Sequence, residues 1–150
     1  MPVSEAFKKR INYLADETYL TKTELRLKIG VSNSSFFSAT AYGIIPTTKT
    51  LVKIADYFDV SINYLLGKTS EDDFIKSDDS DATFHERFVE LCAEKKLSFY
   101  KVGHDCGIDD SLILHWLKQK FIPTIDTLEI LSDYFGVSPD YLLGRSDFRM

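Results

Sequence analysis

The segment 31–48 reads VSNSSFFSATAYGIIPTT and contains no charged side chain. Its amide and hydroxyl groups, on Asn33, Ser34, Ser35 and Ser38, can recognise a polar ligand through hydrogen bonds alone. A polyanion such as DNA, in contrast, is usually bound by proteins that bring Arg and Lys, and the nearest charges here are Lys28 and Lys49. The segment is therefore either a binding surface that reads by hydrogen bonds or a capped helix facing solvent.

Catalytic and metal-binding patterns have little support in this sequence. Cys92 and Cys106 form no Cys-x-x-Cys pair, and His104 and His115 stand at no recognised ligand spacing. No nucleophile elbow, phosphate loop or HExxH motif occurs. We expect two reduced, buried thiols, no metal, no cofactor and no enzymatic activity.

Length and composition indicate one medium domain or two small ones in a globular protein. The chain has 150 residues, of which 44% are hydrophobic and 27% charged. The sequence contains no run of about 18 apolar residues, so no membrane span is predicted. Its charged, amphipathic N-terminal segment is unlike a signal peptide. A cytoplasmic location is the expectation.

The chain contains an internal duplication. IPTTKTLVKIADYFDVSINYLLG (45–67) aligns without a gap on IPTIDTLEILSDYFGVSPDYLLG (122–144), an offset of 77 residues. The same offset pairs Phe7 with Phe84, Arg10 with Arg87, Leu14 with Leu91, Gly30 with Gly107 and Ser34 with Ser111. A fixed offset over most of the chain predicts two copies of one unit.

The predicted domains are 1–67 and 84–150, joined by an acidic linker at 68–83 rich in Ser and Asp. The first domain has 8 basic and 6 acidic residues, the linker 2 and 6, and the second domain 8 and 11. The net charges are therefore +2, -4 and -3. The linker is expected to be a solvated spacer, with mimicry of DNA or binding of a basic partner as alternatives.

Each unit is predicted to be a bundle of about five short helices. Thr21 to Glu24 forms a capping-box pattern, and Gly30 suits a helix C-terminus. Ser32, Thr47 and Ser61 can begin the following helices, at 33–42, at Thr50–Phe58 and up to Leu66. Ser138 followed by Pro139 is the corresponding start in the second unit. No segment has a strand pattern, so the predicted class is all-α.

The order of helix, Gly-[Val/Ile]-[Ser/Asp], helix, Pro and LxxIADYFxVSxxYLLG resembles the Cro and phage-repressor (Xre-like) helix-turn-helix family. The resemblance covers 4–67 and 82–144, and its most specific parts are DYFDVSINYLLG and DYFGVSPDYLLG. It implies two tandem five-helix, lambda-repressor-like domains. A Trp is common in the family at the position of Trp116, where it packs inward.

The family mechanism implies roles for the first unit. One helix, here 22–29, braces against the phosphate backbone, and the next, here 33–42, lies in the major groove. Lys22 and Lys49 then contact phosphates, with Lys28 and Lys53 nearby. The implied base-facing residues are Asn33, Ser34, Ser35, Ser38, Thr40 and Tyr42, of which Tyr42 can also bond phosphate. Alternatively, these side chains only cap helices or face solvent.

The second unit departs from this pattern. Its third helix opens with Asp109 and Asp110, whose carboxylates favour the helix N-terminus but repel phosphate. The residues predicted to form a protein interface are Phe99, Leu112 and His115, at the positions of Lys22, Ser35 and Ser38. The alternatives are packing onto their own unit and, for His115, a base contact.

Three functional hypotheses follow. The first is a sequence-specific DNA-binding regulator and homodimer, in which domain 1 reads DNA and domain 2 mainly mediates self-association. The second is a protein-interaction adaptor or antirepressor on the same scaffold. The third is a pseudo-dimer whose two units occupy adjacent half-sites, because the linker can span roughly 20 Å.

Overall fold

The computed structural model describes residues 3–77, 83–119 and 121–150, and within these ranges the protein is all-helical. Outside the helices, the described residues include an isolated antiparallel bridge between Val3 and Ile44. The chain divides into two compact units between Phe74 and Ile75, here called unit 1 and unit 2. None of the described helices combines the length and apolar character that crossing a bilayer requires.

Each unit contains five helices among its described residues. Those of unit 1 are α1 (Glu5–Glu17), α2 (Lys22–Ile29), α3 (Asn33–Tyr42), α4 (Thr48–Phe58) and α5 (Ile62–Leu65). Those of unit 2 are α6 (Phe84–Glu94), α7 (Phe99–Cys106), α8 (Asp110–Gln119), α9 (Ile125–Phe135) and α10 (Pro139–Leu142). The bounds of α2 to α5 recur in α7 to α10 at the 77-residue offset, as the duplication predicts.

Short polar side chains determine where the helices begin. Nine of the ten have a Ser or Thr N-cap whose side chain accepts a backbone N–H, namely Ser4, Thr21, Ser32, Thr47, Ser61, Thr83, Ser98, Thr124 and Ser138. Such caps satisfy N–H groups that the helix itself leaves unpaired. Compared with the prediction, α4 begins two residues earlier, at Thr48, and α5 ends at Leu65, with Leu66 as its C-cap.

An arginine stacked on a tyrosine joins the first and last helices of both units. The Arg10 guanidinium lies 3.9 Å from the centre of the Tyr64 ring, and its Nη1 donates to the Tyr64 carbonyl at 2.6 Å. The equivalent Arg87 lies 4.2 Å from the Tyr141 ring and pairs with Asp147 at 3.0 Å. The duplicated arginines therefore perform the same structural task, which removes both from the candidates for ligand binding.

The described part of the predicted linker bonds to the units at both ends. Arg10 Nη1 donates to the carbonyl of Thr69 at 3.1 Å. Ser77 donates its backbone N–H to the Arg145 carbonyl at 2.8 Å and its hydroxyl to Asp147 at 2.7 Å. The boundary between the units thus lies within 68–83, and residues 78–82 of that segment lie outside the described ranges.

Gly43 provides a test of the close packing between α1 and the end of α3. Its φ is 71°, and a Cβ there would lie 2.6 Å from the Ser4 carbonyl oxygen. Gly30 has a φ of 87° but open space around a Cβ. Both Ala substitutions incur the left-handed cost of about 1–2 kcal/mol. We expect Gly43→Ala to lower the free energy of unfolding by about 1–3 kcal/mol more, measured by urea denaturation. Equal losses would contradict the tight approach.

Candidate nucleic-acid interface

A three-residue turn joins α2 to α3, and local hydrogen bonds fix both of its sides. Thr21 and Glu24 form the predicted capping box at the start of α2, with bonds of 3.1 and 3.2 Å. Gly30 ends α2 in the left-handed conformation, and Ser32 Oγ accepts the Ser35 N–H at 3.2 Å. The predicted ranges 22–29 and 33–42 are confirmed. The left-handed glycine and the serine cap therefore determine where α3 begins, and both are visible in the local sequence.

The polar residues of α3 lie where they can meet a ligand. Asn33 and Ser34 are exposed, and Ser35 and Ser38 are half-buried. Tyr42, the last residue of the helix, is 60% exposed. The opposite side of α3 packs into unit 1 through Phe36 and Ala39, both buried as predicted. The start of α3 thus presents amide and hydroxyl groups without any carboxylate.

Thr40 does not belong to this surface, so the prediction that it faces bases is wrong. It is buried, with 2% of its surface exposed. Its hydroxyl donates to the Phe36 carbonyl at 3.0 Å, one turn earlier in the same helix. A threonine can be buried in a helix in this way because the backbone satisfies its hydroxyl.

Phe37 is the exposed residue of α3 that sequence reasoning missed. Its side chain is 53% exposed, and its ring meets the Tyr42 ring edge-on with centroids 5.7 Å apart. The signal was the adjacent pair Phe36-Phe37, because neighbours in a helix point about 100° apart and only one of the two can enter the core. The surface of α3 is therefore aromatic as well as polar. We call Asn33, Ser34, Phe37, Ser38 and Tyr42 the α3 surface.

Positive charge is concentrated on the segment that carries the α3 surface. Residues 18–55 contain five basic side chains, Lys22, Arg26, Lys28, Lys49 and Lys53, and one acidic side chain, Glu24. The net charge of this segment is therefore +4. The equivalent residues 95–132 contain five lysines and five carboxylates, so their net charge is zero. The whole domains differ by five charges, from +2 to -3, and four of these five lie in this segment.

Lys22 and Lys49 occupy positions that ordinarily disfavour a cation. Lys22 is the first residue of α2, and Lys49 lies in the first turn of α4, which packs against α2. Both side chains are exposed and form no ion pair with any residue that the structure describes. Helix N-termini repel cations and attract anions, because their N–H groups point outward. A lysine at such a position costs helix stability but adds to an anion site.

Two further cations of the segment, Lys53 and Arg26, lie close to the turn between α2 and α3. Lys53 Nζ lies 3.4 Å from the Gly30 carbonyl, and Arg26 Nη1 lies 3.5 Å from the Val31 carbonyl. The sole carboxylate, Glu24, bonds back to Thr21, which lowers the pKa of Glu24; Lys28 lowers it further. Glu24 therefore stays ionised but is engaged with its own helix terminus.

Unit 2 replaces each of these cations. The residues at the positions of Lys22, Arg26, Lys28, Lys49 and Lys53 are Phe99, Gly103, Asp105, Asp126 and Ile130. Asp126 lies in the first turn of α9, where a carboxylate stabilises the helix but would repel an anion. Unit 2 therefore has no cation at any of these five positions.

The residues predicted as a protein interface differ in how far they are exposed. Phe99 is half-buried and stacks on the buried Phe88 at 5.8 Å, so it packs onto its own unit. Leu112 is 43% exposed on α8, and the exposed His115 stacks on Phe121 at 4.8 Å. Trp116 is 3% exposed, which confirms that it packs inward.

Phe121 also lines a cleft of about 270 Å³ in unit 2. The other residues lining the cleft are Thr83, Phe84, His85, Glu86, Ile122 and Leu143. His85 Nε2 lies 3.1 Å from the Leu117 carbonyl, which links the start of α6 to the end of α8.

The remaining reactive groups have structural explanations. Burial raises the pKa of the Cys92 thiol to about 11, and Cys106 is half-buried with a raised pKa from the same cause. The bond from the Tyr134 hydroxyl to Asp105, 2.6 Å long, raises the pKa of Tyr134 to about 12. Among the described residues, no three His, Cys, Asp or Glu side chains come together as a metal site.

Comparison of the chain with protein-family models, with curated proteins and with solved structures gave no significant match. The resemblance to the phage-repressor family thus stays a prediction from the sequence.

Proposed function

We propose that this protein is a DNA-binding transcriptional regulator built from two tandem helix-turn-helix domains of the phage-repressor type. In this proposal unit 1 binds duplex DNA, and unit 2 mainly mediates self-association. The observation that carries the proposal is that Lys22 and Lys49, which form no ion pair within the described residues, lie at the N-terminal turns of two helices that pack together.

The connection between α2 and α3 supports this assignment. Two helices joined by a three- or four-residue turn that often contains glycine are typical of DNA-binding motifs. In such motifs the second helix enters the major groove with its N-terminal residues at base edges, and the first crosses the backbone. The exposed Asn33 and Ser34 stand at those N-terminal positions of α3. Asn can bond adenine through two hydrogen bonds, and Ser bonds several bases or a phosphate.

The electrostatics of unit 1 suit phosphate contacts on both sides of such a helix. Lys22 begins α2 and Lys49 lies in the first turn of α4, so each adds a cation to exposed N–H groups. Phosphate contacts by backbone N–H groups and lysines position a protein on DNA, whereas the uncharged side chains specify the sequence. This division of roles explains why the uncharged segment 31–48 can contact bases while the charged residues on either side of it contact phosphates.

Unit 2 lacks these cations and has the Asp109 and Asp110 carboxylates at the start of α8. Its exposed apolar residues favour contact with protein, and the simplest partner is a second copy of the chain. A two-fold dimer would hold two α3 helices about 34 Å apart, to match half-sites one DNA turn apart.

A second candidate function, a protein-interaction adaptor or antirepressor, is favoured by one observation. Four exposed apolar side chains lie on α8 and just after it, namely Leu112, Leu114, Phe121 and Ile122, with 43–54% of their surfaces exposed. Exposed apolar side chains along a helix that begins at Asp110 suit a partner protein better than a nucleic acid.

Selection of the full chain against a random duplex pool, at low and moderate salt, tests the proposal. We expect an enriched motif whose binding falls steeply with salt, because phosphate contacts release counterions. A palindromic motif would support a dimer of first units, and an asymmetric, bipartite motif would instead support the pseudo-dimer. No enriched motif at either salt would contradict DNA reading and favour the adaptor function.

A further inference from the structure

The Phe37 ring of the α3 surface has no group that can take part in hydrogen-bonded readout, and Tyr42 can do so only through its hydroxyl. Phe37 and Tyr42 are 53% and 60% exposed, and their rings meet edge-on at 5.7 Å. Phe37 lies four residues after Asn33 and three after Ser34, so the three share one side of the helix. A ligand that reaches Asn33 and Ser34 therefore also meets the Phe37 ring.

The chemistry of the major groove restricts what that ring can contact. Base edges there present hydrogen-bond donors and acceptors, with one apolar group, the C5-methyl of thymine. A phenyl ring placed against a donor or acceptor would leave that group without a partner, which is unfavourable in a desolvated interface. The ring is stabilised only where it meets methyl groups, which removes apolar surface of both from water.

We propose that Phe37 is a specificity-determining residue that contacts thymine methyl groups, with Tyr42 extending the apolar surface beside it. The inference rests on the proposed function of unit 1 and specifies the sequence class that it reads. Asn33 is suited to adenine, and Phe37 to thymine, so both residues select A·T pairs. The α3 surface reads an A·T-rich half-site by one amide and one aromatic ring.

Substitution of deoxyuridine for thymidine isolates this contact, because it removes the methyl group and keeps the hydrogen-bonding edges of the base. The experiment uses the full chain and the duplex enriched by selection, with each thymidine replaced in turn. We expect the affinity to fall about fourfold for each methyl that touches the ring, the value of one buried carbon group. Replacements outside the contact should leave the affinity unchanged.

Variants of Phe37 connect the methyl effect to this residue. Phe37→Ser should bind the thymidine and deoxyuridine duplexes equally, and Phe37→Leu should keep part of the difference. Tyr13→Ser is the matched control, since Tyr13 is 56% exposed on α1 and outside the α3 surface. Circular dichroism checks that each variant keeps its helices, as expected for exposed positions.

Two results would overturn the inference and leave the proposed function standing. One is an enriched motif that binds equally well with every thymidine replaced. The other is a methyl effect that Phe37→Ser leaves unchanged, which would assign the contact elsewhere. A chain that enriches no motif would overturn the inference together with the proposed function, so the two failures are distinguishable.

Discussion

Reversing the charge of both Lys22 and Lys49 to Glu is expected to lower duplex affinity and make the remaining binding much less sensitive to salt. Each neutralised phosphate contributes about 0.9 to the slope of log affinity against log salt concentration. Two lost contacts should reduce that slope by about 1.8 for each bound protomer. Fluorescence anisotropy of a labelled duplex across a salt series measures it.

The fold should tolerate these two substitutions. Both positions lie in the first turn of a helix, where a carboxylate is favourable, so thermal stability should stay equal or rise. The double variant Lys95→Glu, Lys96→Glu is the control, because it changes the total charge equally at exposed positions in unit 2. An unchanged slope in the first variant and a reduced slope in the control would move the phosphate contacts to unit 2.

Replacement of Trp116 by Ala is expected to unfold unit 2 and leave unit 1 folded. The indole is 3% exposed and packs edge-on against Phe84 and Phe88, at 5.7 and 5.9 Å between centroids. Removal of a buried Trp costs about 3–5 kcal/mol. A unit of this size has a total stability of only about 5 kcal/mol or slightly more, so most of it would be lost.

Circular dichroism during heating measures this effect, and sedimentation tests its consequence for assembly. We expect an early transition that removes part of the helical signal and a later one close to that of the parent chain. If unit 2 mediates self-association, the variant should sediment as a monomer. Ile130→Ala, at a 45% exposed position of α9 that is not among the apolar residues assigned to protein contact, should change stability by less than about 0.5 kcal/mol. Loss of all helix in one step would contradict separate cores.

The sequence predicts the helix starts well because the interactions that form them are local. A Thr cap, a Glu three residues later and a left-handed Gly define α2 within ten residues, and the structure has each of these features. The inward position of Trp116 was equally accessible, through the resemblance. Every such prediction depended on spacing along the chain or on a motif.

Which side chains of a helix are buried and which are exposed is harder to predict, because packing against the other helices decides it. The resemblance implied that Thr40 faces bases, but its side chain is buried and its hydroxyl donates to the Phe36 carbonyl one turn earlier. Phe37 was overlooked because aromatic residues are ordinarily assigned to the core, and the helix register exposes it. Phe99 occupies the position of Lys22 and was expected at a protein interface. Its ring instead stacks on Phe88 of the same unit, a contact that depends on how α6 and α7 pack.

Trp116 is also the sole tryptophan of the chain, and it lies in unit 2. Selective excitation of the indole therefore yields an intrinsic optical signal from one half of a duplicated molecule. A buried indole emits at shorter wavelength than a hydrated one, so unfolding of unit 2 is visible as a red shift without any label. The tyrosines of unit 1 leave that emission band clear. The duplication produced two similar scaffolds, and this one side chain makes them spectroscopically distinguishable.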